Sequence, residues 1–239
     1  MAGWGTRSKR HRQNILKKTS PLFRISNKID WKNKFSDFLS SDVAIEFSTP
    51  ESAIDNFKLC FENNIPLVSG TTGWFDQLPA MIKICSNSSN SFIYGSNFSI
   101  GANLFFKINE YAAKLMNGQP QYEVTIEETH HVTKIDAPSG TAITTANIIL
   151  EQLDRKSGWE LNGQNSQNIS IKANRVENVP GTHAVHYSSY ADSINIEHIA
   201  NNRSGLATGA VNAALWLINN KGIYDFKNIF QLVSQIQNK

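Results

Sequence analysis

Glu127-Glu128-Thr129-His130-His131-Val132-Thr133-Lys134-Ile135-Asp136-Ala137-Pro138-Ser139-Gly140-Thr141-Ala142 joins two different periodicities. On its N-terminal side the chain alternates: Val124, Ile126 and Glu128 share one face of an extended segment, and Glu123, Thr125, Glu127 and Thr129 share the other. If that strand runs on, His130 and His131 point to opposite faces and cannot do the same job. On its C-terminal side the turn composition Asp136-Ala137-Pro138-Ser139-Gly140 gives way to Ala142, Ile143, Ala146, Ile149, Leu150 and Leu153 at helical spacing. The stretch therefore predicts a strand, a turn and the start of a helix.

That order places Ser139, Gly140 and Thr141 at a helix N-terminus. Backbone N–H groups there, together with the positive end of the helix dipole, suit a carboxylate or a phosphate. Lys134, five residues before Ser139, adds a full positive charge to the same anion. An imidazole beside it titrates near working pH and can move a proton. Each residue alone has an ordinary structural use, a histidine closing a strand or a serine capping a helix. Together they read as an anion cradle beside a proton donor.

The surrounding chain supplies the fold. Upstream, Leu22 to Ile25, Asp42 to Phe47, Ile65 to Ser69 and Ser91 to Tyr94 read as strands. Ser48-Thr49-Pro50-Glu51 starts a helix with a hydroxyl cap, a first-turn proline and an acid near the positive dipole end, and Ala53, Ile54, Phe57 and Phe61 form its buried face. Another helical segment passes through Met81 to Cys85. Strands alternating with helices and ending in Gly/Ser/Thr/Asn turns mark a parallel α/β sheet, whose ligands collect at the carboxyl ends of its strands. Gly70-Thr71-Thr72 and Gly95-Ser96-Asn97-Phe98 stand at two such ends.

A helix through Phe105, Ile108, Ala112 and Leu115 precedes the opening stretch. Residues 154 to 207 change character, with polar loops, strands at Ile169 to Ala173 and Ile194 to Ile199, and a hairpin-type turn at Val179-Pro180-Gly181-Thr182, and predict a largely antiparallel second domain. His183 and His186 face opposite sides of a strand, so a shared metal is not expected and core or edge histidines are. Ala207 to Ile218 returns to helix, Gly222 is placed to stop it, and a final amphipathic segment runs through Phe226 and Ile236. The domain reading is 1–99 plus 208–239 for a Rossmann-like unit and 100–207 for an inserted α+β mixed-sheet unit.

The 239 residues, 40% hydrophobic and 18% charged, describe a globular chain without a membrane span or signal-peptide pattern, expected in the cytoplasm. Cys60 and Cys85 lack a neighbouring ligand cluster, so buried reduced thiols are expected. The net charge of +3 hides a division. Residues 1–29 carry eight basic side chains and no acid, whereas the remaining 210 carry fifteen basic and twenty acidic ones. No aromatic stacking pattern or recognition-helix period accompanies the basic block, so nucleic acid is not the expected partner.

Glu128 to Ala142 closely resembles the signature E-x-H-H-x-x-K-x-D-A-P-S-G-T-A of the dihydrodipicolinate reductase family of bacterial lysine biosynthesis. Glu46-Phe47-Ser48-Thr49-Pro50, Gly70-Thr71-Thr72-Gly73, Asn97-Phe98-Ser99-Ile100-Gly101 and His198-Ile199-Ala200-Asn201-Asn202-Arg203-Ser204-Gly205 fit the same family in order. The resemblance covers roughly residues 36 to 220. It implies an NAD(P)H-binding Rossmann domain completed by the C-terminal helices, an inserted substrate domain that forms a homotetramer, and reduction of a cyclic dicarboxylate with NADH or NADPH. By the same resemblance His130 is the acid/base residue and Lys134 the proton donor that also meets a carboxylate. His131, Gly140 and Thr141 form the substrate cradle. Gly70, Thr71, Thr72, Gly95, Ser96, Asn97 and Phe98 line the cofactor, and Arg203 meets substrate or braces the site.

The N-terminus departs from that pattern. Met1-Ala2-Gly3-Trp4-Gly5-Thr6-Arg7-Ser8 resembles a dinucleotide-binding turn without the buried strand that should precede it. Ser26-Asn27-Lys28 stand where the family carries the residue that chooses NAD or NADP, and Lys28 favours a 2′-phosphate. The expectation is that residues 1 to about 21 are not a native family N-terminus. Two functions follow: the reductase itself, or a family remnant that folds and binds substrate but holds cofactor poorly.

Overall fold

The alternation of short apolar runs with helical segments is realised in the computed structural model, which describes residues 36–234. The Gly3 to Ser8 turn, the absent first strand, the Leu22 to Ile25 strand and Ser26-Asn27-Lys28 lie outside the described residues. The chain divides into two compact units, one running to Ile93 and taking in Leu217–Ile223, the other comprising Tyr94–Trp216 and the residues from Tyr224 on.

The first unit follows a strand-helix rhythm: β1 (Ala44–Glu46), α1 (Pro50–Glu62), β2 (Leu67–Ser69), α2 (Leu78–Asn87) and β3 (Phe92–Tyr94). With β9 (Ile223–Asp225) these strands form a sheet in the order β1-β2-β3-β9, and β1 and β2 pair in parallel. The core is aromatic. Phe57 of α1 meets Trp74 edge-on at 4.7 Å and Phe92 at 5.4 Å, and Phe61 meets Phe92 at 5.5 Å. Such pairs add about 0.5–1.5 kcal/mol beyond their buried area. Ala53, Phe57 and Phe61 are buried as their spacing predicts. The hydroxyl cap is not: Thr49 occupies the N-cap position but makes no capping bond, and its hydroxyl lies 3.3 Å from Ser52 Oγ instead. Cys60 and Cys85 are free and buried, and burial pushes their thiols up to about 12 and about 11.

The second unit carries α3 (Ile100–Asn117), β4 (Glu123–His130), α4 (Gly140–Leu150), β5 (Gly158–Leu161), β6 (Asn168–Arg175), β7 (Gly181–Ser188) and β8 (Ser193–Ala200), then α5 (Ser204–Asn219), whose end passes into the first unit, and α6 (Phe226–Ser234). Its sheet runs β5-β6-β4-β7-β8. β4 pairs in parallel with β6 and antiparallel with β7, so the sheet is mixed rather than largely antiparallel. For the same reason Val179 to Thr182 does not close a hairpin: β6 and β7 flank β4, and the turn crosses it. β4 sits at the centre because its Val124-Ile126 face fills the core with Ile169, Ile171, Val185 and Tyr187, beneath Phe105 and Ile149 of the two helices. The expected helix through Phe105, Ile108, Ala112 and Leu115 is α3, in which Phe105, Phe106, Ala113 and Met116 are buried while Ile108 and Leu115 are exposed. No helix among the described residues is long and apolar enough to cross a membrane.

Candidate active site

The site grows from the period of β4. Its burial alternates residue by residue, and the buried face continues from Val124 and Ile126 to Glu128 and His130. Val and Ile contribute about 1.5–3 kcal/mol each in such positions, whereas a buried carboxylate without partners costs several kcal/mol. Glu128, fully buried, therefore needs partners, and it has them. The Ser139 N–H donates to both carboxylate oxygens at 3.1 and 3.0 Å, and the Arg175 guanidinium lies 3.4 Å from Oε1. His130 Nδ1 stands 3.6 Å and His183 Nε2 3.8 Å from Oε2.

Glu128 thus ties the end of β4 to the start of α4. Ser139 is the N-cap of α4, and its hydroxyl accepts from the Ala142 N–H at 3.2 Å while lying 3.0 Å from His183 Nε2. Its carbonyl takes the Ile143 N–H. The first-turn amides that the cap leaves without a partner among the described residues are those of Gly140 and Thr141. A Cβ built on Gly140 meets nothing within 4 Å. That clear helix start has the geometry for an anion, as the residue order predicts.

The two neighbouring histidines differ as the alternation requires. His130 is buried against His183, ring edge to ring face with centroids 4.9 Å apart. His131, beyond the strand end, is half-buried; its Nδ1 lies 2.7 Å from Thr133 Oγ1, and it lines an open groove of about 280 Å³ with Asn178, Pro180, Asn202 and Arg203. Arg203 is thereby placed beside His131. Lys134 is ion-paired with Asp136, its Nζ donating to both carboxylate oxygens at 2.7 and 2.8 Å. Arg175 also donates to the Asp136 carbonyl, at 2.6 Å.

Electrostatics follow from burial. Burial pulls the His130 imidazole below its usual value; the Glu128 carboxylate opposes this, and Lys134 and Arg175 reinforce it. Burial, then the neighbouring His130, His198 and Lys134, pull His183 down to about 3. Burial works against ionisation of Asp136, but the Lys134 hydrogen bond and charge outweigh it and hold its carboxyl low.

Glu128, His130 and His183 have the residue types of a metal site, with ligand atoms all within 4.8 Å of one another. Two of the three are already committed, the carboxylate to the Ser139 amide and a guanidinium, and His183 Nε2 to the Ser139 hydroxyl. A Ser-His-Glu nucleophile relay is not formed either. Both the hydroxyl and the carboxylate approach the same Nε2 of His183, and the hydroxyl serves as a helix cap. What remains is proton transfer beside an anion.

The expected cofactor-lining turns lie at the ends of β2 and β3. Thr71 is buried, donating to Glu46 Oε1 at 3.0 Å and accepting the Ser48 N–H at 2.8 Å, while Thr72 is exposed. A Cβ on Gly70 would stand 2.1 Å from Cε1 of Phe47, so any larger residue there would displace that exposed ring. Glu46 also accepts from the Ser69 hydroxyl at 2.7 Å and from Ser48 Oγ. In the other turn Gly95 lies against Phe226, Ser96 is exposed, Asn97 accepts the Ser99 N–H at 2.9 Å, and Phe98 is buried with its ring 4.4 Å from that of Phe226. Thr71 and Phe98 point into packing, so these turns offer a ligand their backbone and the exposed Thr72 and Ser96. The carboxyl ends of strands are where parallel α/β sheets generally meet their ligands.

Sequence reasoning missed Arg175 and His183 as members of the β4 cluster and gave Glu128 no role. Glu128 carried a signal, an acid on the apolar face of a strand. His183 is brought opposite Glu128 by the β4–β7 register and Arg175 opposite His130 by the β4–β6 register, neither of which the local sequence encodes.

Two family models match the chain. One described as "Dihydrodipicolinate reductase, N-terminus" covers residues 7–98, and one described as "Dihydrodipicolinate reductase, C-terminus" covers residues 101–230. A protein of Christiangramia forsetii named 4-hydroxy-tetrahydrodipicolinate reductase is 47% identical over 208 residues, 87% of this chain and 86% of that protein. A protein of the same name from Chromobacterium violaceum is 34% identical over 210 residues, 82% of this chain and 78% of that protein. The dipicolinate-bound dihydrodipicolinate reductase of Paenisporosarcina sp. TG-14 has a similar solved structure, with a TM-score of 0.68 at 25% identity, covering 87% of this chain and 82% of that one.

Proposed function

The chain belongs to the dihydrodipicolinate reductase family, and from that premise we propose that it reduces 4-hydroxy-tetrahydrodipicolinate to tetrahydrodipicolinate in lysine and diaminopimelate biosynthesis. The observation that carries the proposal is the helix start at Ser139 to Thr141, joined through Glu128 to the buried His130.

The 4-hydroxyl of the substrate leaves as water to give the conjugated dihydrodipicolinate, and NADH or NADPH, when bound, would supply a hydride to its conjugated carbon. The protein's own part is to hold the dicarboxylate and deliver a proton to the adjacent carbon. The Gly140 and Thr141 amides and His131 take a substrate carboxylate. Lys134 exchanges its Asp136 partner for that carboxylate and donates the proton, and His130 serves as the acid/base group behind it. Gly70 to Thr72 and Gly95 to Phe98 line the cofactor. Residues 1–99 with 208–239 form the nucleotide-binding domain, and 100–207 the substrate domain, which assembles the chain as a homotetramer. The proposed setting is the cytoplasm.

The test is fluorescence titration of the purified chain with NADH and NADPH, followed by turnover of freshly generated substrate. Saturable nucleotide binding and nucleotide oxidation are expected, with kcat/KM falling about 10²–10⁴-fold in Lys134→Ala. A folded chain that binds the dicarboxylate but no nucleotide would instead identify the cofactor-impaired remnant.

A further inference from the structure

Behind the proposed acid/base group stands a side chain that nothing in the reaction as described above uses. Glu128 is fully buried, and both its oxygens accept the Ser139 N–H, so its position is fixed by the same helix start that forms the anion cradle. One of those oxygens, Oε2, faces His130 Nδ1 at 3.6 Å. That Nδ1 is buried and makes no hydrogen bond among the described residues. The opposite edge of the ring faces Gly181: a Cβ there would stand 3.1 Å from His130 Nε2 and 3.2 Å from Cδ2. The imidazole is therefore held with a carboxylate on one nitrogen and a side-chain-free backbone beside the other.

We propose that Glu128 is a positioning residue: its anchored carboxylate keeps the proton of neutral His130 on Nδ1, so that Nε2, beside Gly181, is the atom that exchanges a proton with the substrate site. The inference rests on the reading of His130 as the acid/base group. A negative charge facing Nδ1 favours the tautomer with its N–H on that side and stabilises the imidazolium once Nε2 gains a proton. Because the same carboxylate takes the Ser139 amide, the proton-transfer ring and the Gly140-Thr141 amides keep a constant spacing. The charged and titratable groups around His130 are Glu128 from β4, Lys134 and Asp136 from the β4–α4 loop, Arg175 from the end of β6 and His183 from β7, with His198 of β8 beyond His183. Of these, Glu128 and Asp136 favour the imidazolium and Lys134 and Arg175 oppose it.

Opposite substitutions then act in opposite directions. Glu128→Gln keeps an oxygen for the Ser139 N–H but removes the charge, and the alkaline limb of the kcat/KM profile moves to lower pH, with about a tenfold loss above neutrality. The loss falls on kcat more than on KM. Arg175→Gln removes the opposing cation and moves the same limb to higher pH. Nitrogen-15 NMR of the histidine rings in the full-length wild-type chain reads the tautomer without any turnover, with the His130 signals assigned by their loss in His130→Ala. An Nδ1–H tautomer is expected, and an Nε2–H tautomer would overturn the inference whether or not the variants fold. If His130→Ala loses the limb while Glu128→Gln leaves it in place, Glu128 is structural only and the inference fails while the role of His130 stands. If His130→Ala keeps both turnover and limb, the acid/base reading itself is wrong.

Discussion

Two glutamates, one closing β1 and one near the end of β4, each bonded to a loop, are stabilised in different ways. Glu46, at the end of β1, is surrounded by hydroxyl dipoles: Ser69 and Thr71 donate to it, with Ser48 alongside, and its own carbonyl takes the Gly70 N–H. Glu128, near the end of β4, is stabilised by a helix-start amide and a guanidinium, with two imidazoles close by. Dipoles fix a shape, whereas mobile protons and full charges make chemistry possible. Glu46 holds a loop in place, and Glu128 organises a site.

The contrast can be broken most severely at Lys134. Its substitution by alanine is expected to cost about 10²–10⁴ in kcat/KM, while the half-exposed pair with Asp136 contributes less than about 1 kcal/mol to folding. A melting temperature that falls together with activity would show that Lys134 supports the fold instead. Glu46→Ala should do the reverse. It strands buried hydroxyls that now donate to the carboxylate, and a loss of roughly 2–4 kcal/mol in urea unfolding is expected, with nucleotide affinity reduced and dicarboxylate binding kept. Unchanged unfolding would mean that the hydroxyls find other acceptors.

The pH dependence of stability sharpens the same comparison, with a smaller effect. His183 is held at about 3 by burial and by its cationic neighbours, against about 6.5 in an unfolded chain. Above about 6.5 neither state binds the proton, and stability is at its plateau. As pH falls below that value the unfolded chain takes up a proton that folded His183 refuses, so stability drops by on the order of 1 kcal/mol per pH unit until folded His183 titrates. His183→Gln should flatten this slope in unfolding measured from pH 7 to pH 4, and an equal slope in the variant would assign it to other groups.

Much of this was legible because one continuous segment carries it. The alternation from Val124 onward placed His130 on the buried face and His131 off it, and the turn composition placed Ser139 at a helix start; the burial pattern and the cap agree. The Lys134–Asp136 pair lies within that same segment but needs side-chain geometry to be seen. Arg175 and His183 were not assigned to the site because strand pairing brings them there across 45 and 53 residues of chain from His130. β5 and β9 escaped as well: Gly158-Trp159-Glu160-Leu161 and Ile223-Tyr224-Asp225 are too short to show a period, and their neighbours in the sheets make them strands. The helix through Phe105, Ile108, Ala112 and Leu115 was legible as a helix, but which of its apolar residues are buried depends on neighbours distant in the chain, and Ile108 and Leu115 are exposed.

The central claim is that the start of α4 receives a carboxylate of the substrate. Amide NMR of the chain titrated with pyridine-2,6-dicarboxylate, a planar analogue of the substrate ring, tests it most directly, with Gly140→Ala as the matched variant. Saturable shifts centred on the Gly140 and Thr141 amides and on His131 are expected. In Gly140→Ala, where the added methyl meets no protein atom within 4 Å, the fold should keep its stability within about 0.5 kcal/mol while the dissociation constant rises about tenfold. Saturable binding whose shifts lie away from α4, or equal affinity in Gly140→Ala, would contradict the account.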